Sequence, residues 1–230
     1  GGHGDYHMIV LAPSSVQEMA DMVALGFDLA FKYRCVSMIL ADGTIGQLME
    51  KVVLPEQRPR RTDEEIRQQC PWAVTGRKGM RPSNVVTSLE LDDDKMEENN
   101  WRFQACYREI EKNETRCELI DVEDCDYLIT AFGTTARVAM KTMELARAEG
   151  IKVGMFRPIT LWPFPEKQLR EAAKNVKGIL CVELNAGQMV EDVKLAVECK
   201  MPVEHYGRFG GNVPTPDELL NVLKEKLINK

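Results

Sequence analysis

Apolar and polar positions alternate between residues 126 and 183 in an order that predicts strand, helix, strand, helix and strand. Three short runs are almost wholly apolar, as strands buried on both faces are. They span residues 127–132, 151–156 and 179–183. Strands joined by helices of this length favour parallel pairing through right-handed crossovers. The fold class predicted for this part of the chain is α/β with a mostly parallel sheet.

Threonine and glycine positions set the predicted ends of the two helices in this region. Thr134 or Thr135 is predicted to cap the first helix, because a hydroxyl can accept a bond from a free first-turn amide. Gly150 and Gly178 are predicted to follow the ends of the two helices, where left-handed backbone is common. The same signals predict a helix from Met189, a strand at 203–206 and a last helix from Thr215 or Asp217.

The first fifty residues predict one more strand, helix and strand. The strands lie at 8–12 and 36–41, and the helix runs from Ser15 to about Tyr33. Glu18, three residues after Ser15, completes a capping box. One such unit is too small to cover the apolar faces of its sheet. We therefore expect the sheet to be completed by residues upstream of Gly1 or by another subunit.

Periodicity is lost between residues 55 and 117, where charged and proline-bearing stretches predict a connecting arm. One amphipathic helix is predicted inside it, from a cap within 92–94 to Lys112. Trp72 and Trp101 are large apolar side chains in polar surroundings, so both are candidate contacts with another chain. The helix suits either a clamp between subunits or a plain linker between domains.

Composition and charge exclude several classes of protein. The 230 residues are 44% hydrophobic and 29% charged, which suffices for a sizeable core. A net charge of −6 argues against nucleic acid or an anionic membrane as partner. No apolar run approaches the ~20 residues that span a bilayer. Seven scattered cysteines without a CxxC pair favour reduced thiols in a cytoplasm and give no zinc or iron–sulfur signature.

Few residues are candidates for catalysis or metal binding. His3, Asp5 and His7 cluster near the start, yet further metal ligands are not nearby, and a glycine-rich turn explains the segment as well. His205 lies inside a predicted strand, where a packed histidine is the alternative to a general base. Glu183 ends a strand and suits either a cleft or the capping of the next turn.

Three turns lie where α/β sheets bind ligands. Asp42 with Gly43 follows a predicted strand, so it either faces a ligand or simply forms a turn. The glycine-containing turns 133–135 and 207–211 either offer amides to an anion or are structural. Neither turn matches a P-loop or a dinucleotide fingerprint. The residues by themselves therefore predict an architecture and no particular chemistry.

Longer stretches carry a resemblance to a known family. The front of the chain resembles the α subunit of 2-oxoacid:ferredoxin oxidoreductases, most of all the branched-chain 2-oxoisovalerate type, over GGHGDYHMIVLAPSSVQEMADMVALGFDLAFKYR and ILADGTIGQLMEKV. The rear resembles that subunit's second domain, which is similar to the C-terminal domain of transketolases, over TAFGTTARVAMKTMELARAEGIKVGMFRPITLWPFP, VELNAGQMVEDV and YGRFGG. The resemblance is co-linear along essentially the whole chain.

This resemblance implies oxidative decarboxylation of a 2-oxoacid on thiamine diphosphate, with electrons passed through iron–sulfur clusters to ferredoxin and an acyl-CoA as product. It implies that the cofactor lies between this subunit and a β subunit that holds the diphosphate and magnesium. Gly1 corresponds to a point inside the family's pyrimidine-binding domain, so the activating glutamate is absent and no catalytic residue carries over. The piece alone is expected to be inactive and to bind neither cofactor nor metal.

The resemblance also implies a division of the chain and a set of partners. Residues 1–55 are expected to be the rear of the pyrimidine-binding domain, 56–117 the arm, and 118–230 the transketolase C-terminal-like domain. The candidate subunit contacts are Trp72, Trp101, Asn185, Gly187, Gln188 and Arg208. Expected partners are the β subunit, smaller iron–sulfur subunits and, through them, ferredoxin. The rivals are an enzyme for 2-oxoglutarate or pyruvate and a non-catalytic assembly or regulatory module.

Overall fold

The structure is a computed structural model that describes residues 4–74, 76, 79 and 81–229. It falls into two units, one built from the described parts of 1–53 and 105–230 and the other from residues 54–104. The domain boundaries at residues 55 and 117 stay a prediction. No helix of the described residues is long and apolar enough to cross a bilayer.

Eight strands and seven α-helices form within the described residues. The strands are β1 (Ile9–Leu11), β2 (Ser37–Ile39), β3 (Cys117–Ile120), β4 (Tyr127–Ala131), β5 (Val153–Pro158), β6 (Thr160–Trp162), β7 (Gly178–Glu183) and β8 (Val203–Gly207). The helices are α1 (Val16–Tyr33), α2 (Asp63–Gln69), α3 (Asp93–Asn113), α4 (Gly133–Ala148), α5 (Glu166–Ala172), α6 (Met189–Ala196) and α7 (Pro216–Leu223). A 3₁₀ turn spans Ile45–Gln47 and a π turn spans Lys224–Ile228.

The main sheet has five strands in the order β3-β5-β4-β7-β8. Four of them are parallel, and only β3 runs antiparallel, along β5. Every residue of β5 and of β7 is buried, as a strand covered on both faces requires. Helices α4 and α7 supply one core, around Met143 and Leu220, and α5 and α6 supply the other, around Leu169 and Val193. The predicted α/β class with a mostly parallel sheet is confirmed.

A second sheet has three strands in the order β2-β1-β6. Strands β1 and β2 are parallel, while β6 joins β1 antiparallel. Helix α1 packs on this sheet through Met22 and Leu29, which meet Ile9 and Leu11 in a separate core. The third strand therefore comes from the rear of this same chain, which corrects the expectation that only upstream residues or another subunit would extend the sheet.

Several predicted element ends shift for identifiable reasons. Neither Thr134 nor Thr135 caps α4, whose N-cap is Phe132 and has no side-chain bond. Gly178 begins β7 and does not end a helix, because α5 stops six residues earlier. Gly150 does take the predicted left-handed backbone, with φ of +82°.

The helix starts predicted from polar residues are largely confirmed. Ser15 caps α1 by accepting from the Glu18 amide, although the Glu18 carboxylate accepts from the Ser14 amide and not from Ser15. Thr215 forms a full capping box with Glu218 at the start of α7. In the unit of residues 54–104, the Asp92 carboxylate accepts from the Lys95 amide at the start of α3. The polar helix α2 was not predicted, because its sequence has no apolar stripe.

Candidate functional site

A cleft of about 500 Å³ opens beside the carboxyl end of the main sheet. Its apolar wall comes from the small sheet and consists of Met8, Val10, Met38, Leu40, Leu161 and Trp162. Its polar wall consists of Asp42, Thr135, Glu183, Asn185, Gln188 and Asp192. The carboxyl ends of parallel strands are where α/β sheets usually bind ligands, so this cleft is the candidate functional site.

The apolar wall follows from the alternation of side chains along β1 and β2. Ile9 and Leu11 are fully buried on the α1 side, so their neighbours Met8 and Val10 face the opposite way, into the cleft. Met38 and Leu40 do the same on the β2 side, and each is 40% exposed. This face of the small sheet therefore forms the apolar wall of the cleft, and part of it is exposed in the structure.

Glu183 ends β7 and holds the start of α6. Its carboxylate is 1% exposed and accepts from the amides of Gln188, Met189 and Val190 at 3.2, 2.9 and 3.0 Å. These amides have no partner within the helix, and a negative charge is favoured at a helix N-terminus. The arrangement favours capping over a catalytic role for Glu183.

Asp42 makes a turn and also holds the start of α4. Its Oδ1 accepts from the amides of Thr44 and Ile45 at 3.1 and 3.0 Å, which is the turn considered in the sequence. It further accepts from the Thr134 amide and hydroxyl, both at 2.7 Å. A Cβ on Gly133 would lie 2.6 Å from Asp42 Oδ2, so only glycine leaves room for this contact. The negative group at the start of α4 is thus the carboxylate of Asp42, and the Thr134 amide is not left for a bound anion.

The turn after β7 is held tightly against His205. The Gly187 amide donates to Asn185 Oδ1 at 2.7 Å, and Gly187 has a φ of +110°. A Cβ on Gly207 would lie 2.1 Å from the Asn185 carbonyl oxygen and 2.7 Å from His205 Cε1. His205 Nε2 is 3.7 Å from Glu183 Oε1 and has no hydrogen-bond partner among the described residues. His205 thus lies in β8, as predicted, and packs against this turn.

Asp192 is a carboxyl group of the cleft whose pKa departs from its ordinary value. Desolvation by burial, followed by the nearby charges of Glu183, Glu191 and Glu166, raises the pKa of Asp192 to about 6. Gln188 precedes Asp192 by four residues and lies on the same side of α6, so both line the cleft.

The cleft does not fit the charged half of thiamine diphosphate. Among the described residues that line it, none is a lysine, arginine or histidine, whereas three are carboxylates. A diphosphate needs cationic or amide donors, and the amides at the two adjacent helix starts are taken by Asp42 and Glu183. No group of three or more potential metal ligands occurs within the described residues, and His3 of the proposed cluster with Asp5 and His7 lies outside them.

A buried arginine joins the front of the chain to the main sheet. Arg157 of β5 is 4% exposed and donates two bonds to Glu18, at 2.9 and 2.7 Å. It also donates to Ser14 Oγ at 2.7 Å and to Glu118 at 2.8 Å. Burial acts to raise the pKa of Glu18, but the hydrogen bonds and charge of Arg157 hold it below its usual range. The first turn of α1 is thus fixed to β5.

The predicted contact residues fall into separate places. Asn185 and Gln188 line the cleft, with Gly187 between them. Arg208 lies elsewhere and donates, together with Tyr206, to the Glu218 carboxylate at the start of α7. Their roles as subunit contacts stay a prediction.

Both predicted tryptophan contacts belong to the unit of residues 54–104. Trp101 is 61% exposed, and its Nε1 donates to Glu97 Oε1 at 3.4 Å. Trp72 is only partly exposed. Neither observation tests a contact with another chain, so this role also remains a prediction.

Four residues of the cleft and of the junction beside it were not identified as such from the sequence. Trp162 lies on β6, a three-residue strand hidden among prolines. Asp192 was detectable in principle, because it follows Gln188 at a helical spacing of four. The partners Glu18 and Arg157 are 139 residues apart, so no local pattern connects them.

Two family models match successive parts of the chain. A family model described as "Pyruvate flavodoxin/ferredoxin oxidoreductase, thiamine diP-bdg" matches residues 3–114. A second, "Pyruvate:ferredoxin oxidoreductase core domain II", matches residues 125–219. The two matches follow each other along most of the chain and support a subunit of a 2-oxoacid:ferredoxin oxidoreductase.

Two individual relatives are similar to this chain along almost its whole length. The ketoisovalerate oxidoreductase subunit VorB of Methanothermobacter marburgensis is 45% identical over 226 residues, which is 98% of this chain and 62% of that protein. The 2-oxoglutarate synthase subunit KorA of the same organism is 31% identical over 252 residues, 96% of this chain and 64% of that protein. The chain thus spans less than two thirds of the length of these relatives.

Solved structures agree on the fold. A 2-oxoglutarate:ferredoxin oxidoreductase from Magnetococcus marinus matches with a TM-score of 0.69 at 21% identity, over 98% of this chain and 43% of that one. A split-gene transketolase matches with a TM-score of 0.52 at 14% identity, over 96% of this chain and 57% of that one. At these identities the likeness concerns architecture alone, and it is consistent with a thiamine-enzyme domain joined to a transketolase C-terminal-like domain.

Proposed function

We propose that this chain is part of a thiamine-diphosphate-dependent 2-oxoacid:ferredoxin oxidoreductase that acts on 2-oxoisovalerate and related branched-chain acids. The observation that carries the proposal is the 45% identity to a ketoisovalerate oxidoreductase subunit along 98% of the chain. In the proposed reaction the 2-oxoacid loses carbon dioxide, its acyl group passes to coenzyme A, and two electrons pass to ferredoxin. The seven free thiols agree with the reducing cytoplasm proposed as its location.

Thiamine diphosphate would supply the decarboxylation chemistry, and its diphosphate and magnesium would be held by a β subunit. The acidic lining of the cleft supports this division, because Asp42, Glu183 and Asp192 would repel a diphosphate. Iron–sulfur clusters would reside on smaller subunits. What this chain contributes is a fixed junction, in which Arg157 and Asp42 hold the front strands against the main sheet. The chain alone is therefore expected to be inactive.

The candidate subunit contacts remain part of the proposal. Asn185, Gly187 and Gln188 form a turn at the mouth of the cleft, held by the Gly187 amide bond to Asn185. Trp101 exposes 61% of its surface, an unusual fraction for a tryptophan without a partner to cover it. Arg208 is paired with Glu218 and is the least free of these residues to make a new contact.

A second substrate has a specific observation in its favour. The chain is also 31% identical to a 2-oxoglutarate synthase subunit over 96% of its length. A 2-oxoglutarate enzyme must hold a second carboxylate, which calls for a cation in the substrate pocket. The described cleft lining contains no such cation, so the branched-chain acid is the first choice.

The test is to retrieve this chain, in its native length, from its source under anaerobic conditions by an affinity tag. We expect several co-purifying polypeptides, a brown colour and stoichiometric iron and thiamine diphosphate. A tagged but unrelated cytoplasmic protein of similar charge serves as the control. A colourless single chain without cofactor would refute the proposal and favour the non-catalytic module.

A further inference from the structure

Two thiols share the small core at the front of the chain. Cys35 follows the end of α1, and Cys106 lies on α3. Both are free and half-buried, and both pack against the core that contains Ile9, Leu29 and Ile110. The two cysteines are far apart in the sequence, so the fold brings them to the same place. Neither of them lines the cleft or takes part in the proposed reaction.

The contacts of the two thiols run crosswise between the segments that carry them. Cys106 Sγ donates to the carbonyl oxygen of Tyr33 at 3.4 Å, and Tyr33 comes two residues before Cys35. Cys35 Sγ donates to the carbonyl oxygen of His7 at 3.4 Å. The His7 ring in turn lies 5.2 Å from the ring of Tyr107, which follows Cys106. Each thiol is therefore held beside the segment that carries the other thiol.

Electrostatics agree with this placement. Burial raises the pKa of Cys35, and the charge of Cys106 raises it further. A like charge has this effect only when the two groups are near each other. Cys117 gives the contrast, because it is also half-buried but burial alone raises its pKa. Cys35 and Cys106 are thus neighbours, whereas Cys117 is a comparable thiol outside the pair.

From this geometry we propose that Cys35 and Cys106 form a reversible disulfide when the chain meets a peroxide, and return to thiols when a dithiol reductant is supplied. Disulfides that form in a reducing compartment are usually transient and respond to its redox state. The pair is therefore a redox-sensitive device in the front part of the fold. The inference does not rest on the proposed enzyme activity.

A peroxide supplies both oxidising equivalents of the reaction. One thiolate attacks the O–O bond of hydrogen peroxide, so that an S–O bond forms and the leaving hydroxide takes up the proton lost by the thiol. The second thiolate then attacks the sulfenic sulfur, the S–S bond forms, the S–O bond breaks, and a second water leaves. Two thiols and one peroxide thus give one disulfide and two waters. Because the thiolate is the reactive form and burial raises the pKa of Cys35, the reaction should accelerate as the pH rises.

The disulfide would close a loop around the whole unit of residues 54–104. Cys35 lies before this unit, and Cys106 lies two residues after its last residue, Gln104. Closing a long loop reduces the conformational entropy of the unfolded chain. Oxidation is therefore expected to raise the melting temperature by about 5 °C, and reduction with dithiothreitol should reverse the shift.

Peptide mapping of the oxidised chain tests the pairing directly. The reduced chain is freed of reductant, exposed to hydrogen peroxide at about pH 8, blocked with iodoacetamide and digested with trypsin. Trypsin places the two thiols in separate peptides, residues 35–51 and 103–108, each with a single cysteine. We expect these two peptides to be joined until dithiothreitol is added, and two of the seven thiols to be lost in a thiol titration. The rate should be the same at about 1 and 50 µM protein, because the reaction is intramolecular.

Cys35→Ser and Cys106→Ser should each prevent the loss of two thiols, and Cys117→Ser is the matched control that should still lose two. Serine is close in size to cysteine and both sites are half-buried, so the variants should fold, which circular dichroism checks. Oxidation of the exposed Cys199 without any joined peptides would overturn the proposal. So would a disulfide that survives either variant of the pair, a rate that rises with protein concentration, or a melting temperature that falls on oxidation.

Discussion

Glu114 offers a sharp test of how the front of the chain is held to the end of α3. Its side chain is 4% exposed, and it accepts bonds from Lys32 at 2.7 Å, Tyr33 at 2.6 Å and Arg116 at 2.7 Å. Burial alone would raise the pKa of this carboxyl, but the three donors lower it from 4.5 to about 2. The charged form is thus strongly favoured by the fold.

The magnitude follows from the two pKa values. The gap between 4.5 and about 2, at about 1.4 kcal/mol per pH unit, gives up to about 3 kcal/mol. Because the folded pKa is lowered, this stability is present above pH 4.5 and is lost as the pH falls towards 2. Glu114→Gln removes the charge at every pH. It should therefore destabilise the protein at pH 7 and matter far less near pH 2.5.

Urea unfolding followed by circular dichroism at several pH values measures the effect. We expect Glu114→Gln to lower the free energy of unfolding by about 2–3 kcal/mol at pH 7, with a smaller difference at each lower pH. Glu111→Gln is the control: Glu111 is an exposed carboxylate in the last turn of α3, three residues before Glu114, and its replacement should change stability by less than about 0.5 kcal/mol. A loss at pH 7 below about 1 kcal/mol, or a loss that does not vary with pH, would refute the reasoning.

Three further predictions concern the junction and the cleft. Arg157→Ala should lower the free energy of unfolding in urea by about 3 kcal/mol, because it leaves Glu18 without its buried partner. Arg157→Lys should recover only part of this loss. An unchanged free energy of unfolding would show that the pair does not stabilise the fold. Gly133→Ala should cost about 2 kcal/mol by the same assay, because φ is +61° and the new Cβ meets Asp42, and a loss under about 0.5 kcal/mol would contradict this. The pKa of Asp192 in the folded protein is raised to about 6. The neutral carboxyl therefore costs no folding stability below its ordinary pKa of 3.8, and the protein loses stability as the pH rises through 6. Since Asp192 is exposed, Asp192→Asn should stabilise by at most about 1 kcal/mol at pH 8 and by almost nothing at pH 4. Melting temperatures that rise equally at both pH values would exclude this explanation.

The strands of the main sheet were predictable because full burial leaves a local signature. Strands β4, β5 and β7 are apolar on both faces, so the sequence marks them as continuous runs. The edge strand β3 is buried on neither face, and charged Glu118 interrupts it. Strand β6 has only three residues. Neither had enough length or pattern to be recognised before its partner strand was known.

The candidate site was predictable only in part, because its decisive contacts join distant residues. The turn from Asn185 to Gln188 follows a strand, which marks it as an edge of the sheet. By contrast, the bond between Asp42 and Thr134 spans 92 residues. Thr134 was expected to cap its helix with its own hydroxyl, but the structure supplies a stronger acceptor from the other end of the chain.

The rate of viologen reduction by the native complex tests the central claim most directly. The complex is purified anaerobically through this chain and supplied with coenzyme A and, in turn, 2-oxoisovalerate, 2-oxoglutarate and pyruvate. We predict reduction that requires both a 2-oxoacid and coenzyme A, with the highest kcat/KM for 2-oxoisovalerate. A highest kcat/KM for 2-oxoglutarate or pyruvate would keep the class and change the substrate. No reduction with any 2-oxoacid, in a complex that retains its thiamine diphosphate and iron, would contradict the account.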